Sequence, residues 1–216
     1  MKLSHENLKI IKVVSGFFYE QDFRYSTLKG EFFNKAKQIL QLSGSVAQVT
    51  LGIIDVLKSN DNPDFELRTS DQYFNYEDKY TSRESLVEKS LELANRWQRL
   101  TGKPYTKIGG VVQFELVETG QAPVDFVFKY YREFMEKEKI RSSKLHINFY
   151  HLSNGLEYNV NLTVQGLKEP QEKLSGVLDI NRSDSKGMNA AAGESILKQL
   201  FAYYDKYLLD FLNYEA

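Results

Sequence analysis

Residues that could bind a metal or act in acid–base catalysis are few in this sequence, and their spacing does not bring them together in one site. Only three histidines are present. His146 and His151 are five positions apart on one predicted strand, and an odd separation directs their side chains to opposite faces. Glu115 and Glu118, three positions apart on another predicted strand, also face opposite ways. These pairs predict neither a local metal site nor a paired acid–base site.

Four residues remain as weak candidates for a binding site: Tyr105, Lys107, Asp179 and Arg182. Asp179 lies inside the apolar run 177–180, where a carboxylate needs a partner to offset its lost hydration. An internal salt bridge, a loop anchor and a site residue all fit that position, and these alternatives stay open. The sequence contains no phosphate-binding glycine loop, no G-x-S-x-G and no H-E-x-x-H. We therefore expect no catalytic residue, no cofactor and no metal site.

Composition narrows the class of protein. The 216 residues include 28 basic and 29 acidic side chains and no cysteine, which excludes thiol catalysis and cysteine-held metals. The balanced charge argues against a dedicated nucleic-acid binder, whose affinity depends on neutralising phosphates. The apolar runs are far shorter than a membrane span, and the N-terminal segment lacks the apolar core of a signal peptide. We therefore expect a cytoplasmic protein without membrane association.

Aromatic residues are frequent, at 13% of the chain. They cluster in the segments 17–25, 73–80 and 126–134. A sheet–helix core with Tyr hydroxyls at its margins explains such clusters. A contact surface for a partner explains them too, because Tyr supplies a large contact area with only two rotatable bonds. Both interpretations stay open.

The elements that position these residues alternate between strands and helices in the first half of the chain. Hydrophobic periodicity predicts strands at 8–20, 45–58 and 65–76 and helices at 26–42 and 81–100. The tetrapeptide Thr81-Ser82-Arg83-Glu84 has the residue types of a capping box, with Glu three positions after a hydroxyl. With the next strand, the order becomes β-α-β-β-α-β, which is the order of a ferredoxin-like domain.

The second half repeats part of this order. The predicted elements are a strand at 105–118, a helix at 123–139, a hairpin of 145–152 and 156–167, a strand at 174–181 and a helix at 189–214. Asn154-Gly155 between two alternating runs is the strongest short-range signal for a hairpin. The polar segment 182–188 predicts a flexible loop. Strand, helix and strand recur after about 97 residues, which indicates two related halves.

The predicted fold class is therefore α+β. It consists of a mostly antiparallel sheet with about four helices and a pseudo-duplicated strand–helix–strand order, and a ferredoxin-like order stays open for the first half. The predicted domains are an N-terminal α+β half, residues 1–104, and a C-terminal α+β half, residues 105–216. Because no linker separates them, we expect the halves to pack as one unit.

Two short segments resemble a known family. The strand 107–112, Lys-Ile-Gly-Gly-Val-Val, and the segment 176–181, Gly-Val-Leu-Asp-Ile-Asn, resemble motifs of a sporadically distributed family of bacterial proteins of unknown function, mainly over residues 105–214. Asn181 stands where that family often has a second Asp. The resemblance implies a bacterial protein among accessory or defence-associated genes, and it implies no activity.

The absent chemistry, the aromatic excess and the balanced charge favour a non-catalytic binding protein. It would use an aromatic-rich sheet or groove to bind a protein partner or a copy of itself. The β-α-β-β-α-β order leaves open an RNA-binding or RNA-processing protein with tandem ferredoxin-like halves. The opening strand leaves open a chaperone similar to the SecB export family. We expect a non-enzyme, although scattered residues can also form an active site.

Overall fold

The described part of the chain contains nine strands, three helices and one short 3-10 turn, His5–Asn7, ahead of the first strand. The structure, a computed structural model, describes residues 4–42, 46–78, 82–116, 142–167 and 173–213. The strands are β1 (Leu8–Tyr19), β2 (Val46–Leu51), β3 (Ile54–Ser59), β4 (Glu66–Thr69), β5 (Tyr73–Asp78), β6 (Tyr105–Leu116), β7 (Ser142–Ser153), β8 (Leu156–Leu167) and β9 (Lys173–Met188). They form one antiparallel sheet in the order β2-β3-β4-β5-β1-β6-β9-β8-β7.

The helices are α1 (Tyr25–Ile39), α2 (Arg83–Thr101) and a C-terminal helix, α3. Three consecutive segments form α3: an α-helix at Ala192–Ala202, a π-helical turn at Tyr203–Tyr207 and a last α-helical turn at Leu208–Leu212. Ser82 is the N-cap of α2, and its side chain accepts a hydrogen bond from the Ser85 backbone N–H. The cap therefore lies one residue later than the predicted capping box requires.

The prediction of an α+β fold with about four helices is wrong for the described residues, which form a mostly-sheet fold with three helices. The ferredoxin-like order is also wrong, because four strands, β2 to β5, follow α1 where two were predicted. These strands form a meander in which each pairs antiparallel with the next. The predicted helix at 123–139 and the third aromatic cluster, 126–134, lie outside the described residues.

A single glycine accounts for the first extra strand. The run 45–58 reads as one strand, but Gly52 and Ile53 form a two-residue turn that pairs Leu51 with Ile54. Gly52 has φ +64°, and a positive φ at the first turn residue only is the pattern of a type II′ turn, which favours Gly there. The chain therefore reverses within an apolar run that carries no other turn signal.

The predicted Asn-Gly hairpin is confirmed. Asn154 and Gly155 both have positive φ, 52° and 73°, as a type I′ turn requires. They connect β7 and β8, which pair over their full length from Ser153↔Leu156 to Ser142↔Leu167. This hairpin forms one wall of the candidate site.

The predicted loop at 182–188 is wrong, because β9 continues through it to Met188. β9 is an interior strand of the sheet, between β6 and β8. Backbone pairing in an interior strand holds a polar sequence extended even where its side chains favour a turn.

By its contacts the chain divides into two compact units. The hairpin unit comprises Met1–Ile11, Val111–Ile180 and Leu200–Ala216. The meander unit comprises Lys12–Gly110 and Asn181–Gln199. The predicted boundary between residues 104 and 105 stays a prediction.

The meander unit has a densely packed aromatic core. Phe17 stacks on Phe74 with ring centroids 4.9 Å apart, and Phe32 lies edge-on to Trp97 at 4.7 Å. Tyr105 contacts both Phe17 and Phe74, and its hydroxyl donates to the Ala94 carbonyl. All five rings are almost completely buried, so the aromatic segments near residues 17 and 73 contribute in large part to a core.

Candidate functional site

The hairpin unit contains an apolar cavity of about 370 Å³, which we call the aromatic groove. Three strands and the end of α3 surround it. The lining residues are Ile147, Phe149, Val160, Leu162, Leu178, Tyr203, Tyr207, Leu208, Asp210 and Phe211. Nine of the ten are apolar or aromatic, and Asp210 is the one charged residue among them. Such a lining favours apolar ligands with a single polar or cationic group.

The strand wall of the groove follows from the register of the hairpin. Phe149 lies opposite Val160, and Ile147 lies opposite Leu162. Since side chains alternate along a strand, these four share one face of the sheet. Leu178 on β9 contributes to the same wall.

The π-helical turn shapes the helix wall. Tyr203 and Tyr207 are four residues apart in this turn, and their ring centroids lie only 4.5 Å apart. His151, two residues beyond Phe149 on the same face of β7, packs edge-on against both rings at 5.0 and 5.7 Å. Its Nδ1 atom is buried without a hydrogen-bond partner among the described residues. π-Helical turns occur often at functional sites, where they redirect side chains.

The rim of the groove is accessible. Phe149 and Tyr207 are 40% and 39% exposed, although both line the cavity. On the opposite face of β7, Tyr150 and Leu152 are more exposed still. Large apolar side chains are therefore presented on both faces of one strand, which is typical of contact surfaces.

β7 is also the outermost strand at its end of the described sheet. Among the described strands nothing pairs with its outer side, so the outward N–H and C=O groups can pair with an added strand. From Leu145 to Ser153 it carries no Asp, Glu, Lys or Arg and no Pro, which are the usual protections of an edge. The groove and this unprotected edge lie side by side.

The candidate residues from the sequence have separate structural roles. Tyr105 belongs to the core of the meander unit, and burial raises the pKa of its hydroxyl well above the usual value. Lys107 lies over the Phe18 ring, with its Nζ 5.4 Å from the centroid. Arg182 donates to the Asp184 carboxylate at 3.2 Å. Each of the three therefore has a different partner within the meander unit.

Asp179 belongs to the hairpin unit and is half-buried on β9. The Asn161 side-chain amide donates to its carboxylate at 3.5 Å. It neighbours Leu178, which lines the groove, but alternation along the strand directs it to the other face. Of the four candidates, Asp179 comes nearest to the groove in sequence.

The meander unit holds a buried carboxylate with several partners, which we call the Asp55 cluster. Asp55 accepts hydrogen bonds from Tyr25 at 2.7 Å, Lys29 at 2.8 Å and Thr50 at 2.7 Å, and the Tyr25 hydroxyl accepts one from Thr69 at 2.6 Å. Burial alone would raise the pKa of Asp55, but the hydrogen bonds from Lys29, Thr50 and Tyr25 outweigh it and lower that pKa. The cluster ties α1 to β2, β3 and β4.

The described residues hold no group of three or more His, Asp or Glu side chains placed to bind a metal. His146 and His151 have different neighbours: His146 Nδ1 lies 2.9 Å from Thr163 Oγ1, whereas His151 packs on the tyrosines of α3. No helix in the described part of the chain is long and apolar enough to cross a membrane.

Sequence reasoning identified α3 as a helix with one apolar face, but it did not identify the groove. The stripe Tyr204, Tyr207/Leu208 and Phe211/Leu212 fits burial against the sheet or against a second subunit, and a helix of regular pitch would satisfy either prediction. The π-helical turn has no sequence signal, and the cavity depends on how β7, β8 and α3 pack.

Comparison of the chain with protein-family models, with curated proteins and with solved structures gives no match. The resemblance to a bacterial family therefore stays a prediction, and the groove is interpreted from its own geometry.

Proposed function

We propose that this protein is a non-catalytic binding protein whose aromatic groove holds an extended, apolar segment of a protein partner. The observation that carries the proposal is the cavity of about 370 Å³ lined by nine apolar side chains and one carboxylate. Cavities of roughly 300–1,000 Å³ with this kind of lining are the usual size of ligand sites. Each Leu- or Phe-sized side chain buried there would gain about 1.5–3 kcal/mol.

The edge strand favours an extended segment over a compact ligand. A segment that pairs with β7 would alternate its side chains between the two faces of the sheet. One set would enter the groove beside Phe149 and Tyr207. The other set would cover Tyr150 and Leu152, which are exposed on the opposite face. A small molecule in the groove would leave this second apolar surface exposed.

Asp210 determines which charge the bound segment of the partner should carry. It is the charged member of the lining and lies at the exposed end of α3. A Lys or Arg at one end of the bound segment would face this carboxylate, whereas an acidic residue would be repelled. We therefore propose an apolar segment with a basic residue at one end.

A SecB-like chaperone remains the second candidate, because an apolar groove beside an unprotected edge strand also suits unfolded clients. The two functions differ in selectivity: a chaperone binds apolar peptides of either charge alike, whereas a dedicated site discriminates by charge. The tandem ferredoxin-like order that favoured RNA binding is absent from the described strands.

Competition with the neutral dye Nile red tests the proposal. The competitors are synthetic peptides of about ten residues that are apolar at alternate positions and end in either Lys or Glu. We expect the dye to bind the wild-type chain and the Lys peptide to displace it at lower concentration than the Glu peptide. Equal displacement by both peptides would favour the chaperone.

Two groove variants and one control make this test specific. Phe149→Asp and Tyr207→Asp place a carboxylate in the rim of the groove, and both positions are exposed enough for the chain to tolerate it. We expect each to weaken dye and peptide binding by about tenfold or more, which is at least about 1.4 kcal/mol. Phe23→Asp changes an aromatic residue of the meander unit that is 88% exposed. Equal binding by all three variants would contradict the proposal.

A further inference from the structure

β2 is a second unprotected edge, and it lies in the meander unit. Within the described sheet its one neighbour is β3. Residues 46–53, Val-Ala-Gln-Val-Thr-Leu-Gly-Ile, contain no charged residue and no Pro. Val49, Leu51 and Ile53 are all exposed, Ile53 to 81%. A long, uncharged and apolar edge is a template for pairing with another strand.

The next two strands of the meander are different. Lys58 on β3 and both Glu66 and Arg68 on β4 place charges on their surface, and Glu66 forms ion pairs with the other two. Natural sheets avoid unwanted pairing by placing charges on their edge strands. Here the charges lie on β3 and β4, which are paired on both sides, whereas β2, the strand with the open edge, carries none.

The turn at Gly52 determines which backbone groups of β2 face outward. In a two-residue hairpin the residues that flank the turn exchange both hydrogen bonds, and this pairing recurs at every second residue. Leu51, Val49 and Ala47 therefore direct their N–H and C=O groups toward β3. Those of Gln48 and Thr50 point away from the sheet, toward any added strand.

We propose that β2 pairs antiparallel with β2 of a second copy of this chain, with the two-fold axis through Val49. In this register Gln48 of one copy exchanges backbone hydrogen bonds with Thr50 of the other. Val49 lies opposite its own copy, and Ala47 lies opposite Leu51, so a small side chain faces a large one. The proposal concerns a surface separate from the aromatic groove and does not depend on the function proposed for it.

The uncharged sequence favours a second copy over a different protein. When a strand pairs with itself about a two-fold axis, a residue on the axis meets its own copy, and like charges there repel each other. A strand that pairs with a different protein is free to use complementary charges, which raise specificity. β2 carries none.

Mass measurements by sedimentation over a wide range of concentration test this pairing. We expect the wild-type mass to rise from monomer to dimer with concentration, since a single short strand pair makes a small interface. Val49→Lys brings two ammonium groups together on the axis, and Gln48→Pro removes an outward N–H, which an edge strand tolerates. Both variants should stay monomeric at every concentration, whereas Val49→Thr should still dimerise.

Two checks separate lost pairing from lost folding. Fluorescence of Trp97, the one Trp of the chain, should be the same in the wild-type chain and all three variants, because Trp97 is buried in the core of the meander unit. Phe23→Lys adds a charge at a different exposed site of that unit and should leave dimerisation unchanged.

A single cysteine tests the register, because the natural chain has none. Cross-strand pairs that are not hydrogen-bonded bring their Cβ atoms close enough for a disulfide. Val49→Cys should therefore form a disulfide-linked dimer on mild oxidation, whereas Leu51→Cys, opposite Ala47, should cross-link much more slowly. A wild-type chain that stays monomeric at the highest concentration would overturn the proposal. So would dimerisation of Val49→Lys or equal cross-linking at both positions.

Discussion

Two aromatic clusters of this protein have similar composition and opposite packing. In the meander unit, Phe17, Phe32, Phe74, Trp97 and Tyr105 fill a core in which each ring contacts others and almost none of their surface is exposed. In the hairpin unit, Phe149, Tyr203, Tyr207 and Phe211 surround a cavity of about 370 Å³, and two of them are about 40% exposed. The abundant aromatic residues therefore fill a core in the meander unit and line an accessible cavity in the hairpin unit.

The difference arises from what covers each cluster. The rings of the meander unit lie between the sheet and helices α1 and α2, which contribute Phe32 and Trp97, and the start of α3 at Gly193 packs against Phe17. Among the described residues the groove has one helical wall, α3, whose π-helical turn sets Tyr203 and Tyr207 side by side instead of spreading them along the sheet. Aromatic content alone does not separate the two cases, because the second layer of structure decides between them.

The largest expected effect is a loss of stability in the filled core. Phe74→Ala removes a ring that contacts Phe17, Phe32 and Tyr105, so we expect the free energy of unfolding to fall by about 3–5 kcal/mol. Tyr207→Ala at the groove should cost about 1–2 kcal/mol, because its partly exposed ring contacts Tyr203 and His151. Urea unfolding followed by Trp97 fluorescence measures both. Equal losses would show that the groove is part of a core.

A smaller loss of stability is expected from removing the carboxylate of the meander unit, Asp55, and none from removing that of the groove, Asp210. Asp55→Asn leaves Lys29 without its anionic partner and should cost about 1–3 kcal/mol at neutral pH. The folded-state pKa of Asp55 is lowered, so its contribution is complete above the ordinary carboxyl pKa of about 3.9 and is lost as pH falls through the lower folded value. The difference in the free energy of unfolding between the wild-type chain and Asp55→Asn should therefore disappear in acid.

Asp210→Asn is the matched variant in the groove. Asp210 is exposed at the end of α3, so we expect no measurable change in the free energy of unfolding at neutral pH. Unfolding curves recorded from neutral pH down to strong acid compare the free energy of unfolding of each of the two variants with that of the wild-type chain. If Asp55→Asn is still less stable than the wild-type chain in strong acid, the role assigned to the hydrogen bonds of Asp55 is refuted.

A last pair of variants distinguishes filled space from open space. Val56 on β3 and Val160 on β8 are both about 1% exposed, and Val160 lines the groove. Val56→Leu adds a methylene to a packed core and should destabilise by about 1–3 kcal/mol. Val160→Leu adds it toward a cavity, so stability should be unchanged or rise by up to about 0.8 kcal/mol. Thermal unfolding by calorimetry compares them. Destabilisation by Val160→Leu equal to that by Val56→Leu would show that no open space lies beside Val160.

Local signals predicted the parts of the fold that local interactions determine. Asn154-Gly155 fixes its hairpin because both residues tolerate a positive φ. The end of α2 at Thr101 follows from Gly102, which adopts the left-handed conformation at the helix C-cap. By contrast, the turn at Gly52 was not predicted, because one glycine in an apolar run is a weak signal. The strand at residues 182–188 was not predicted either, because it depends on pairing with other strands of the sheet.

The candidate site was less predictable than the fold. Tyr105, Lys107 and Arg182 attract attention by residue type, yet each has its own structural partner in the meander unit. The groove combines residues from β7, β8, β9 and α3 that are ordinary apolar core residues in the sequence. A cavity is a property of packing between distant segments, and no residue type or spacing encodes it.

Methyl NMR with the Lys-ended peptide tests the central claim most directly, namely that the aromatic groove is the binding site. Ile147, Leu162, Leu178 and Leu208 line the groove, whereas Leu57, Leu67 and Leu93 are completely buried in the meander unit. We predict shifts and peptide contacts at the first set and unchanged signals at the second. Binding that leaves the groove methyls unchanged would contradict the account.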